Sequence, residues 1–130
     1  MLESKHQARI LTDMRPFAPN LITQVIFARK PFLAEHPDQV ERFLKAWFGA
    51  VAYMVANKEK SSVISARALN MDTAVVERAY DVDMPYLSKD GTFDPKGVDV
   101  LRDSFVQLGI LDKPPNDDQM LTTRFVPVKP

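Results

Sequence analysis

The side chains that could do chemistry are few and scattered in this chain. His6 and His36 are the acid/base candidates, yet they lie far apart and neither has a second residue at metal-ligand spacing. His6 precedes a short apolar run and His36 precedes a proline, positions that suit surface and helix-start roles. Asp81, Asp83, Asp90 and Asp94 gather in one stretch, but without the alternating oxygen-ligand spacing or terminal Glu of a calcium loop, so helix-end capping accounts for them better. Asp117 and Asp118 read as helix-start charge. Lys58, Lys60 and Arg67 form no dense patch and read as solvated. The serines at 61, 62, 65, 88 and 104 have no nucleophile-elbow context. The absence of cysteine excludes disulfides, thiolate metal sites and a cysteine nucleophile. Four glycines, none clustered, offer no phosphate cradle. No catalytic residue, metal site or cofactor is expected.

Composition narrows the class further. The 130 residues carry 17 basic and 17 acidic side chains, so no net field draws the chain to nucleic acid. Hydrophobic content is 45%, an ordinary globular value, and the apolar runs fall short of the roughly 20 residues that span a bilayer. The segment Met1-Leu-Glu-Ser-Lys-His-Gln7 lacks the charged, apolar and small-residue regions of a signal peptide, so the chain as written reads as not exported. Area scaling for this mass predicts about 6,900 Å² exposed when folded, against about 21,300 Å² unfolded, which permits a core.

The elements that must position any site follow from periodicity and punctuation. Ala8 to Thr12 and Leu21 to Ala28 are short, rich in β-branched residues and bounded by turn formers, which predicts two strands. Pro16 and Pro19 make the stretch between them a loop or hinge. Pro31 and Pro37 each predict a helix start. From Pro37 to about Asn57, the residues Val40, Phe43, Leu44, Trp47, Phe48, Val51, Met54 and Val55 form an apolar stripe at helical spacing, read as core packing. A helix is expected from about Glu59 to Leu69 with Asn70 at its C-terminal cap, and another from Thr73 to about Met84, capped by Asp72 and stopped by Pro85. Asp94 and Pro95 start a further helix with Val98, Leu101, Phe105 and Leu108 as its buried stripe, closed by Gly109. The proline-rich tail offers Met120, Leu121, Phe125 and Val126 as anchors. The class is α/β, mainly helical: two strands followed by four or more helices. Two strands rarely make a stable sheet alone, so the inventory reads as part of a larger α/β protein.

The run Ala8-Arg-Ile-Leu-Thr-Asp13, a loop, Val25-Ile-Phe-Ala-Arg-Lys-Pro-Phe-Leu-Ala-Glu-His-Pro-Asp-Gln-Val40 and then Phe43-Leu-Lys-Ala-Trp-Phe-Gly-Ala-Val-Ala-Tyr53 resembles the C-terminal part of ABC-transporter solute-binding proteins of the nitrate, sulfonate and taurine type. Ala68-Leu-Asn-Met-Asp-Thr-Ala-Val-Val76 and Leu108-Gly-Ile-Leu-Asp-Lys-Pro-Pro115 are similar to that group as well. The resemblance implies a type II periplasmic binding protein fold: residues 1–14 ending the second lobe, 15–28 the hinge and crossover strand, and 29–130 the helical completion of the first lobe. It implies a periplasmic protein that captures a small, often anionic solute by hinge closure and delivers it to ABC permease subunits, without catalysis. The family's signal peptide and N-terminal α/β portion have no counterpart in the sequence. On this resemblance Arg15 could pair with a sulfonate or carboxylate, and Asn20, Thr23 and Gln24 lie where the crossover would pass the cleft and could donate hydrogen bonds to an anion.

A second reading is a small helical interaction module that self-associates through an exposed apolar face. A pyrimidine-precursor enzyme on the same fold would need a histidine and cysteine cluster, which this chain lacks.

Overall fold

The computed structural model describes residues 6–129. Residues 1–5, part of the stretch assigned above to the second lobe, lie outside the described residues, as does Pro130.

Helix α1 (Lys30–Glu35) and helix α2 (Pro37–Ala56) begin where the prolines place them, each with proline in its first turn, where a missing N–H leaves no bond unmade. Helix α3 (Lys58–Leu69) ends at Asn70 in the left-handed conformation, φ 51°. The Met71 amide closes that end by donating to the Ala66 carbonyl at 2.9 Å. Helix α4 (Thr73–Asp83) is capped by Asp72, whose carboxylate accepts from the Ala74 amide at 2.8 Å. It tightens into a 3₁₀ turn, Met84–Tyr86, around Pro85. Helix α5 (Pro95–Gln107) is capped by Asp94, which accepts from the Lys96 amide, and is followed by Gly109 at φ 68°. Helix α6 (Asp117–Met120) opens with a capping box in which Asn116 and Gln119 each satisfy the other's backbone amide.

Burial is concentrated on α2. Leu44, Phe48 and Val51 form the core with Val128 of the tail, and Val40, Leu87, Phe125 and Val126 pack around them. The tail is held in place by the Val128 amide, which donates to the Asp90 carbonyl at 2.8 Å. Gly91 makes this approach possible: it sits at φ 82°, and a Cβ there would come within 2.8 Å of Val126 and 3.1 Å of the Phe48 ring. The Ser88 hydroxyl accepts from the Gly91 amide, and the Asp90 carboxylate accepts from the Thr92 amide and is held below the usual carboxylate range by that bond. Elsewhere α3 packs on α4, and the buried residues of that pair are Ser61, Ser62, Ala66 and Val76.

The molecule is mainly helical, as expected, but the two expected strands are absent: among the described residues neither Ala8–Thr12 nor Leu21–Ala28 is in a strand. A strand exists only as half of a ladder, whereas a helix satisfies its own backbone. Among the described residues the amides of 22–28 donate to no backbone carbonyl. Two stripes are also narrower than predicted. Phe43, Trp47 and Val55 of α2 and Leu108 after α5 are exposed, because among the described residues the tail covers only one strip of α2 and no element covers Leu108. The accessible surface is 10,430 Å², about one and a half times the roughly 6,900 Å² of a compact chain of this mass. No helix among the described residues is long and apolar enough to cross a membrane.

Candidate functional site

Residues 13–22 form an arm that touches the helical body at two places. In the first, Arg15 folds back on Asp13: its Nε lies 2.9 and 2.8 Å from the two carboxylate oxygens, a terminal nitrogen lies 2.5 Å from Oδ2, and its backbone amide donates to Oδ1. The local geometry is that of an Asx turn, which Asp adopts readily before a proline-containing loop. The guanidinium then lies over the Tyr86 ring, 5.4 Å from its centroid, with its other terminal nitrogen 3.4 Å from the Tyr86 hydroxyl. Hydrogen bonding to Arg15 holds the Asp13 carboxyl below the usual range, and Asp13 in turn raises the Arg15 guanidinium.

The second contact is made by Asn20 and Ile22 against Gly97 in the first turn of α5. Asn20 adopts φ 61°, and a Cβ on Gly97 would stand 2.9 Å from the Asn20 carbonyl oxygen and 3.1 Å from Ile22. Glycine inside a helix costs about 1 kcal/mol relative to alanine, and here it admits the arm's backbone.

Of the four residues singled out for anion binding, Arg15 and Asn20 therefore hold the arm to the body. Thr23 and Gln24 are exposed, and their side chains make no hydrogen bond to any described residue. Asp13 already occupies most of the donor fork of Arg15, so an incoming anion would meet the face shared with the Tyr86 hydroxyl or would have to displace the carboxylate. Tyr86, remote in sequence from Arg15, carries no local signal of this role. Gly97 does: a glycine just inside a capped helix start points to a close approach.

Two grooves lie elsewhere on the surface. One, of about 630 Å³, is lined by Arg102, Asp103, Pro114, Pro115, Asn116, Asp117 and Asp118. Arg102 is shared among Asp99 at 2.7 Å, Asp117 at 3.4 Å and Asp103 at 3.7 Å, a surplus of negative charge that disfavours an anion there. The other, of about 400 Å³, is lined by Tyr53, Glu59, Lys60, Val63 and Ile64. Both are open to solvent. Lys58, solvent-accessible as expected, also pairs with Asp81 at 2.5 Å, which raises the Lys58 ammonium; nearby the Tyr80 hydroxyl donates to the Met54 carbonyl, tying α4 to the end of α2. His36 packs its ring against Phe32, with centroids 5.1 Å apart, and no group of three or more His, Cys, Asp or Glu is arranged to hold a metal among the described residues.

No protein-family model, curated protein or solved structure matches this chain.

Proposed function

We propose that this chain is part of the solute-binding component of an ABC importer for a small anionic solute, a sulfonate, nitrate, taurine or organic carboxylate, and that it works at the periplasmic face by hinge closure without catalysis. One observation carries the reading: a proline-bounded arm leads through Arg15 and Asn20 into an uncharged, β-branched segment without a ladder partner, and this enters the helical body directly at α1. That order matches a hinge, a crossover strand and a helical lobe whose sheet is supplied by other residues of a larger α/β protein. The excess accessible surface supports the same reading. Type II binding protein architecture, with ABC permease subunits as partners, follows from the motif resemblance.

Thermal shift of the chain with taurine, alkanesulfonates, nitrate and aromatic carboxylates tests the reading. A solute at a hundredfold excess over its Kd adds about 2.7 kcal/mol of stability, enough for a clear rise in Tm. One anionic class is expected to raise the Tm and Arg15→Ala to abolish the rise. Flat melts with every anion, or a rise indifferent to Arg15, contradict it.

A further inference from the structure

We infer that residues 21–28 are a self-pairing strand, and that two copies of this chain associate by joining these segments antiparallel across a two-fold axis centred on Gln24. Leu21-Ile-Thr-Gln-Val-Ile-Phe-Ala28 has no charge, no proline and no glycine, and it consists largely of β-formers. An exposed segment of this kind is a template for pairing with a copy of itself. The structure leaves it available: Val25 is 53% exposed and Phe27 89%, and among the described residues the amides of 22–28 donate to no backbone carbonyl.

Charge selects the direction. Arg29 and Lys30 follow the segment immediately, so a parallel pair would set each cation beside its own copy, while an antiparallel pair places them at opposite ends. Side-chain matching selects the register. Antiparallel strands related by a two-fold keep equivalent residues on one face, and centring on Gln24 sets Leu21 opposite Phe27, Ile22 opposite Ile26 and Thr23 opposite Val25, with the two Gln24 amides facing each other. Centring one residue later sets Leu21 against Arg29 and Thr23 against Phe27. Centring one residue earlier leaves Phe27 opposite Pro19. Area selects the extent: the chain exposes about 3,500 Å² beyond a compact chain of its mass, more than the roughly 800 Å² per partner of a standard interface, so the strand pair brings adjoining apolar surface with it.

In the solute-binding reading the same segment pairs with strands of a larger protein, so the self-association inferred here is a property of this chain when those strands are not beside it, and it is read without any solute. Sedimentation of the full chain should give twice the 14.7 kDa chain mass at high micromolar concentration. With Gln24 as the closer, non-hydrogen-bonded pair, Thr23 and Val25 exchange the ladder bonds on either side of it, so Val25→Pro removes a donor and should return the chain to the monomer with the helical circular dichroism unchanged. The chain has no cysteine, so single substitutions read the register directly. Gln24→Cys should oxidise rapidly to a disulfide-linked dimer, because facing Cα atoms in an antiparallel pair lie about 5 Å apart. Phe27→Cys should not, since its two copies would stand about 20 Å apart along the pair. A chain that stays monomeric, a dimer that survives Val25→Pro, open-ended assembly, or equal cross-linking at both positions overturns the inference.

Discussion

Helix α2 and the segment that precedes α1 are similarly apolar, yet they meet opposite fates. On α2, Phe48 is 4% exposed under the C-terminal tail, while Phe27 of the preceding segment is 89% exposed. The difference lies in the backbone. A helix closes its own hydrogen bonds and needs only a surface to lie against, which the tail around Val128 supplies. A β-forming segment needs another strand before its side chains can be buried at all. The comparison teaches that apolar content marks a segment as destined for burial, while the type of element decides whether the chain can bury it alone.

The sharpest way to break the comparison is to truncate both phenylalanines. Phe48→Ala should cost about 3–5 kcal/mol in urea unfolding, whereas Phe27→Ala, measured on dilute monomer, should stay within about 0.5 kcal/mol. Equal losses would mean that the 21–28 segment is packed within the monomer. Next in size is Gly91→Ala, which forces an L side chain into the left-handed region and against Val126 and Phe48; a loss of about 2 kcal/mol is expected, with the tail released from α2.

A smaller effect, of opposite sign, belongs to the α3–α4 contact. The Ser61 and Ser62 hydroxyl oxygens are buried without a hydrogen-bond partner among the described residues. Ser62→Ala removes an unsatisfied polar atom and improves helix propensity, so stability should rise by about 1 kcal/mol, and a comparable fall would show that the hydroxyl has a partner.

The smallest effect is electrostatic. The bonds from Arg15 hold the Asp13 carboxyl below its usual range, so the contact favours the ionised form. The stabilisation of the 13–15 turn is present above the ordinary carboxylate pKa of about 3.9 and is lost as pH falls through the lower native value. Carbonyl chemical shifts should place the Asp13 midpoint below that of a free aspartate, and Arg15→Ala should restore it. The melting of α2 should not follow this titration, because the turn is solvent-accessible and lies outside the core.

Local signals in the sequence are translated faithfully into local structure. Asp72 and Asp94 cap their helices, Asn70 and Gly109 take the left-handed positions, and Pro31 and Pro37 open α1 and α2. Phe125 and Val126 also anchor the tail as expected, although Val128, the tail's buried residue, lies beyond them. What pattern alone could not supply is the identity of partners. Phe43, Trp47 and Val55 lie on the predicted stripe of α2, but how wide a stripe is buried depends on what the rest of the molecule lays over it. The β-rich character of Leu21–Ala28 is legible, whereas a strand also requires a ladder that no neighbouring residue encodes. At the candidate site, the donor chemistry of Arg15 is visible in sequence, while its packing on Tyr86 and its capture by Asp13 depend on how the arm bends.

Amide hydrogen exchange on the dilute chain tests the central claim most directly, by comparing residues 22–28 with residues 44–51 of α2 in one experiment. The account predicts no protection for 22–28 beside strong protection in α2, since only the helix has internal acceptors and a covered face. Protection of 22–28 comparable to that of α2 in the monomer would show that the segment already has a partner within the chain, and would contradict the account.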